Sequence, residues 1–167
     1  MPPILIIDDD AGILSIMKTT LLSAGFPEPV LVQDSGTALD IVQQGDCAVA
    51  LIDLVMPNIG GMEVLRRIKE ARPGVECIII TAVDEVETAV EAMRYGAYDY
   101  LVKPLDAKRL ILTLQRALER HALRRELAVL KDRPSFAQVK HPDAFSALIA
   151  ADEAMAKSVA ETLRDVT

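Results

Sequence analysis

The sequence has no tryptophan, and aromatic residues make up only 4% of it. A packed interior must therefore be aliphatic, built from Ile, Leu, Val, Ala and Met. Cysteine is scarce too: Cys47 and Cys77 lie inside apolar runs, with no CxxC and no Cys/His metal pattern. That speaks against a disulfide framework or a zinc site, and for two small buried thiols in a reducing compartment. There is no apolar run of 18 residues and no charged-then-apolar leader. Membrane spanning and export are both disfavoured. Net charge is −7, which argues against coating nucleic acid by bulk electrostatics.

Apolar residues are plentiful, at 51% of 167 residues. One domain of ordinary size with an appendage is expected. The charge is uneven. Residues 103–133 hold nine Lys/Arg against four Asp/Glu, and the rest holds nine against twenty-one.

Short apolar runs alternate with helix-period segments. Strands are expected at 3–8, 29–33, 47–53, 76–81 and 97–102. Helices are expected at about 11–25, 34–45, 61–74, 84–96 and 106–131, with Asp34 or Ser35 opening the second and Gly25 and Gly45 closing the first two. The first, third and fourth strands are continuously apolar, as befits parallel strands covered on both faces. The class is α/β, doubly wound, with right-handed crossovers.

The first strand reads "ILIIDDD", four apolar residues running into Asp8, Asp9 and Asp10. The third ends in Asp53, the fourth in Thr81 and the fifth in Lys103. Each has an ordinary reading by itself. Asp10 reads as a helix N-cap, Asp53 as the start of a turn, Thr81 as a strand residue and Lys103 as a solvated charge. The conjunction is less ordinary, because the carboxyl ends of a parallel sheet share one edge, where ligands bind. Carboxylates forced together require a cation, and Mg2+ suits a few carboxylates plus a phosphoryl oxygen. A lysine and a hydroxyl supply the remaining phosphoryl contacts.

Four blocks carry a resemblance: "ILIIDDD", "ALIDLVMPNIGGMEVL", "IIITA" and "GAYDYLVKPL". Together they resemble the response-regulator receiver domain of bacterial two-component signalling, over residues 3–122. The resemblance implies a flavodoxin-like (βα)5 fold with strand order 2-1-3-4-5. It implies Asp53 as phosphoacceptor, and Asp8 and Asp9 as the acidic pair holding Mg2+ with the backbone carbonyl of Val55. It further implies Thr81 as switch hydroxyl, Lys103 as phosphate-binding ammonium, Tyr100 as switch aromatic and a cis Lys103–Pro104 bond. A sensor histidine kinase is the implied partner and the cytoplasm the implied location. On phosphorylation the surface of the fourth helix, fifth strand and fifth helix is expected to change. One departure is Gly60, where the family often has Asp, which bears on the rigidity of that loop.

Beyond the domain, Leu123, Leu127 and Leu130 form a seam at four–three spacing. A dimer-forming linker and a merely solvated helix end are both open; a homodimer is expected, without direct nucleic-acid binding by this chain. Residues 123–143 read as helical linker and loop, and 144–167 as a helical tail. The tail resembles the entry to the AAA+ module of enhancer-binding transcription regulators, so a piece of a longer regulator is expected. No G-x-x-x-x-G-K-[ST] motif is present. Two other classes compete: a phosphate-independent interaction domain, and a haloacid-dehalogenase-type phosphohydrolase, whose first motif Asp8–Asp9–Asp10–Ala11–Gly12 does not match.

Overall fold

The computed structural model describes residues 3–131. The loop and tail expected at 132–143 and 144–167 lie outside the described residues. The chain divides into two units, Met1–Glu126 and Leu127–Thr167, and the fold is that of the first.

Five strands, β1 (Ile4–Ile7), β2 (Val30–Val32), β3 (Val49–Ile52), β4 (Glu76–Thr81) and β5 (Asp99–Val102), alternate with five helices. These are α1 (Ala11–Ser23), α2 (Ser35–Gln44), α3 (Gly61–Ala71), α4 (Val86–Arg94) and α5 (Ala107–Lys131). The strands form one sheet of order β2-β1-β3-β4-β5, and every pairing is parallel. The class and the strand order are those expected.

Alternation along the strands divides the core. Ile4, Ile6, Val49, Leu51, Ile78 and Ile80 pack with Leu14, Met17 and Leu21 of α1 and Leu110, Leu114 and Ala117 of α5. Leu5, Ile7, Ala50, Ile52, Cys77 and Ile79 face α2, α3 and α4. Both faces of β1, β3 and β4 are therefore buried, which is why these strands read as unbroken apolar runs. Cys47 and Cys77 are free and buried. Burial pushes their thiols up to about 11 and about 12, so both are inert small hydrophobes.

Several element ends differ from expectation by one to three residues. β1 and β3 stop one residue short of Asp8 and Asp53. Helix α3 ends at Ala71 rather than 74, because Pro73 biases Arg72 away from helical angles. Asp34, not Ser35, caps α2, accepting from the Thr37 N–H. Helix α1 closes as expected: Gly25 has φ +90°, its N–H donates to Leu22 O, and that of Phe26 to Leu21 O. This is the paired bonding of a left-handed glycine C-terminus. Gly45 ends α2 in an extended conformation instead.

Candidate functional site

Register builds the site. Ile7 lies opposite Ile52, so the next residues, Asp8 and Asp53, emerge side by side. Their backbones continue the ladder: Asp8 N–H donates to Val32 O at 3.1 Å and Asp53 N–H to Ile7 O at 3.0 Å. Thr81, opposite Val102, ends β4, and the next residue of that neighbouring strand is Lys103, whose N–H donates to Thr81 O at 2.8 Å. Four strand ends thus bring two acids, a hydroxyl and an ammonium to one edge. Asp10 has the ordinary role: its Oδ1 caps α1, accepting from Gly12 and Ile13.

Asp8, Asp53 and Thr81 are buried, and Asp9 is exposed. Lys103 Nζ donates to Asp8 Oδ2 at 2.9 Å and to Asp53 Oδ2 at 3.3 Å. Burial alone would lower the Lys103 pKa. The hydrogen bond to Asp8 and the charges of Asp53 and Asp8 outweigh it, and the net shift is upward. Asp8 Oδ1 accepts from the Asp10 N–H at 2.9 Å. One carboxylate oxygen each from Asp8, Asp9 and Asp53 lies within 4.8 Å of the others. Among the described residues one lysine, Lys103, pairs with this cluster, through Asp8 and Asp53; three hard oxygen donors so placed fit a small divalent cation.

Thr81 Oγ1 accepts from the Val83 N–H at 3.4 Å. The Val83 carbonyl in turn accepts from the Tyr100 hydroxyl at 2.6 Å. Tyr100 is half-buried against the α2–α4 side, whereas Tyr98 packs on the α1–α5 side. Burial, and then the carboxylates of Glu85, Asp84 and Asp53, push the Tyr100 phenol above its usual pKa. The Lys103–Pro104 bond is cis. Val55 is exposed, and its N–H donates to Asp53 Oδ1 at 3.4 Å.

Two supporting residues escape the sequence reading. The Gly61 N–H donates to Leu54 O at 3.0 Å. A Cβ there would run into the Asp53 carbonyl oxygen and come within 2.6 Å of Leu54 Cα. The second glycine of "GG" thus lets α3 start directly against the Asp53 backbone, and that doublet is the signal available in the sequence. Gly60 merely precedes α3, with no side-chain cap; the loop is held instead by Ser35, whose hydroxyl donates to Ile59 O at 2.8 Å. No local pattern reveals that contact.

Fold and site define the class: a flavodoxin-like α/β protein whose carboxyl edge gathers acids, a hydroxyl and an ammonium. Residues 4–115 match the response regulator receiver domain. The regulatory protein AtoC of Escherichia coli K12 is 36% identical over 124 residues, 74% of this chain and 27% of AtoC. A putative response regulator, NtrX-like, of Rickettsia typhi is 36% identical over 132 residues, 78% of this chain and 28% of that protein. The chain therefore spans about a quarter of the length of these relatives. Among solved structures, a response regulator receiver domain from Clostridium thermocellum superposes with a TM-score of 0.69 at 34% identity, covering 74% of this chain and 98% of that one. NtrX from Brucella abortus superposes at 0.70 and 32% identity, over 78% of this chain and 30% of that one. The chain belongs to the response-regulator receiver domain family. It is a signalling domain of two-component systems rather than a conventional enzyme, and none of its described helices is long and apolar enough to cross a membrane.

Proposed function

We propose that this receiver is a phosphoacceptor switch, in which Asp53 takes a phosphoryl group from the phosphohistidine of a sensor histidine kinase. The observation that carries this reading is the Lys103 ammonium, shared between the Asp8 and Asp53 carboxylates with Asp9 in the same cluster. An Asp53 oxygen attacks phosphorus, the donor P–N bond breaks, and the leaving imidazole keeps the electron pair and takes up a proton. Lys103 passes from the carboxylates to a phosphoryl oxygen as a point charge. The Thr81 hydroxyl turns from Val83 to donate to another. Asp8, Asp9, Asp53 and the Val55 carbonyl would hold Mg2+, which offsets the repulsion between carboxylate and incoming phosphate.

Thr81 and Tyr100 bond the two sides of the Val83 backbone, its N–H and its carbonyl, so a movement of Thr81 loosens the anchor of the Tyr100 hydroxyl. That supports a changed surface across α4, β5 and α5 as the output. The transcriptional regulatory protein ZraR of Escherichia coli K12, 38% identical over 115 residues, supports transcriptional control as that output. We place the chain in an enhancer-binding regulator in which residues 1–122 are the receiver, 123–143 the linker and 144–167 the start of an output domain. Leu123, Leu127 and Leu130 are exposed and support a homodimer through α5; light scattering that finds a monomer at all concentrations, with and without a phosphoryl mimic, would exclude it. We place the protein in the cytoplasm and assign this chain no nucleic-acid contact of its own. The phosphorylation reading is tested by intact mass after incubation with acetyl phosphate and Mg2+. One phosphoryl group is expected on the wild type and none on Asp53→Asn; modification of that variant at the wild-type rate would overturn the assignment.

A further inference from the structure

Besides Asp8 and Asp53, one other charged side chain among the described residues is almost completely buried: Glu76, 1% exposed. It opens β4, at the edge of the sheet away from the carboxylate cluster. The six residues of β4 separate the two by roughly 17 Å at the usual strand rise. A buried carboxylate is costly without a partner charge. Glu76 finds two across the chain on α5: its Oε1 lies 3.2 Å from Arg124 Nη1 and 3.5 Å from Arg120 Nε. That oxygen makes no hydrogen bond of normal geometry. Charge rather than directed bonding therefore makes the contact.

Neighbouring side chains point the same way. The Arg120 guanidinium sits over the Tyr98 ring, 5.5 Å from its centre. His121 Nδ1 is 2.9 Å from the Gly74 carbonyl oxygen, and Arg125 Nη2 is 3.6 Å from Asp46 Oδ2. Apolar anchoring of α5 stops just before them. Its buried residues end at Ala117, and Leu118 is the last apolar side chain packed on the core. Arg120, Arg124 and Arg125 thus face the domain's own edge where hydrophobic contact runs out.

We infer that Glu76 is a positioning residue, an electrostatic anchor that holds the Arg120–Glu126 part of α5 against the edge of the sheet opposite Asp53. Because the contact is ionic and undirected, it keeps the helix seated while tolerating small shifts along its length. It also engages two guanidiniums within the domain.

Amide hydrogen exchange on the full chain tests this. Glu76→Gln, Arg120→Gln/Arg124→Gln and their combination are compared with wild type. Protection across residues 118–126 should fall about tenfold or more in the first two variants, with β1 and β3 exchanging as in wild type. The combination should add little, because either change already removes the pair. If Glu76→Gln loosens the whole sheet, the arginine variant decides, since it alters only half-exposed side chains. Wild-type exchange over 118–126 in that variant, or strictly additive losses in the cycle, would overturn the anchor.

Discussion

The hydroxyl of Tyr100 donates to the carbonyl of Val83 across 2.6 Å, tying β5 to the loop after β4. Tyr100→Phe removes this bond and little else. It should lower stability by about 1 kcal/mol in urea unfolding and leave Asp53 as readily phosphorylated. The phenol also has a pH signature. Its folded pKa is raised above 10.0 by burial and by Glu85, Asp84 and Asp53. Its stabilisation is complete below the unfolded pKa and is lost as pH rises through the folded one. The alkaline decline in stability above pH 10 should therefore be shallower in Tyr100→Phe.

Among the described residues, Lys103 is the only basic side chain found on Asp8 and Asp53. Lys103→Met leaves Asp8 and Asp53 without a counter-charge. At neutral pH it should cost about 3 kcal/mol or more of unfolding free energy. Millimolar Mg2+ should restore part of that loss, because a divalent ion answers the same need. Equal destabilisation with and without Mg2+ would mean that the carboxylates do not share a cation.

Asp9 adds a third negative charge to the cluster and makes no ion pair with Lys103. Asp9→Ala should abolish Mg2+ binding, read by calorimetry, and raise the melting temperature of the metal-free protein. A lower metal-free melting temperature would show that the carboxylates do not strain one another.

Gly61 tests the backbone beneath Asp53. An alanine Cβ would collide with the Asp53 carbonyl, so Gly61→Ala must displace the loop. A cost of about 1–3 kcal/mol is expected, with slower phosphorylation at unchanged metal stoichiometry. Gly60→Ala, whose Cβ meets nothing closer than Leu54 O at 3.8 Å, should be nearly silent in both measurements.

Fold class and the identity of the edge residues are legible in the sequence because burial on both faces writes itself as unbroken apolar runs; the strand order is legible only through the resemblance to the receiver family. Polar residues at the ends of those runs then stand out. Helix ends are less legible: Pro73 stops α3 early, and Gly45 closes α2 without a left-handed turn. Contacts between distant residues are not legible at all. Ser35 with Ile59, and Glu76 with Arg120 and Arg124, pair side chains whose sequence neighbourhoods give no sign of each other. The basic stretch of α5 therefore reads as a solvated or interacting face, whereas part of it is turned onto the sheet's own edge.

The most direct measurement locates the modified carboxylate. An acyl phosphate is reduced by borohydride to the alcohol, which marks the residue that carried it. The protein is phosphorylated with acetyl phosphate and Mg2+, reduced, digested and sequenced by mass spectrometry. The mark is expected on Asp53 alone, dependent on Mg2+ and strongly diminished in Lys103→Met. A mark on Asp8, Asp9 or Asp10, or one on Asp53 that forms equally well without Mg2+, would contradict it.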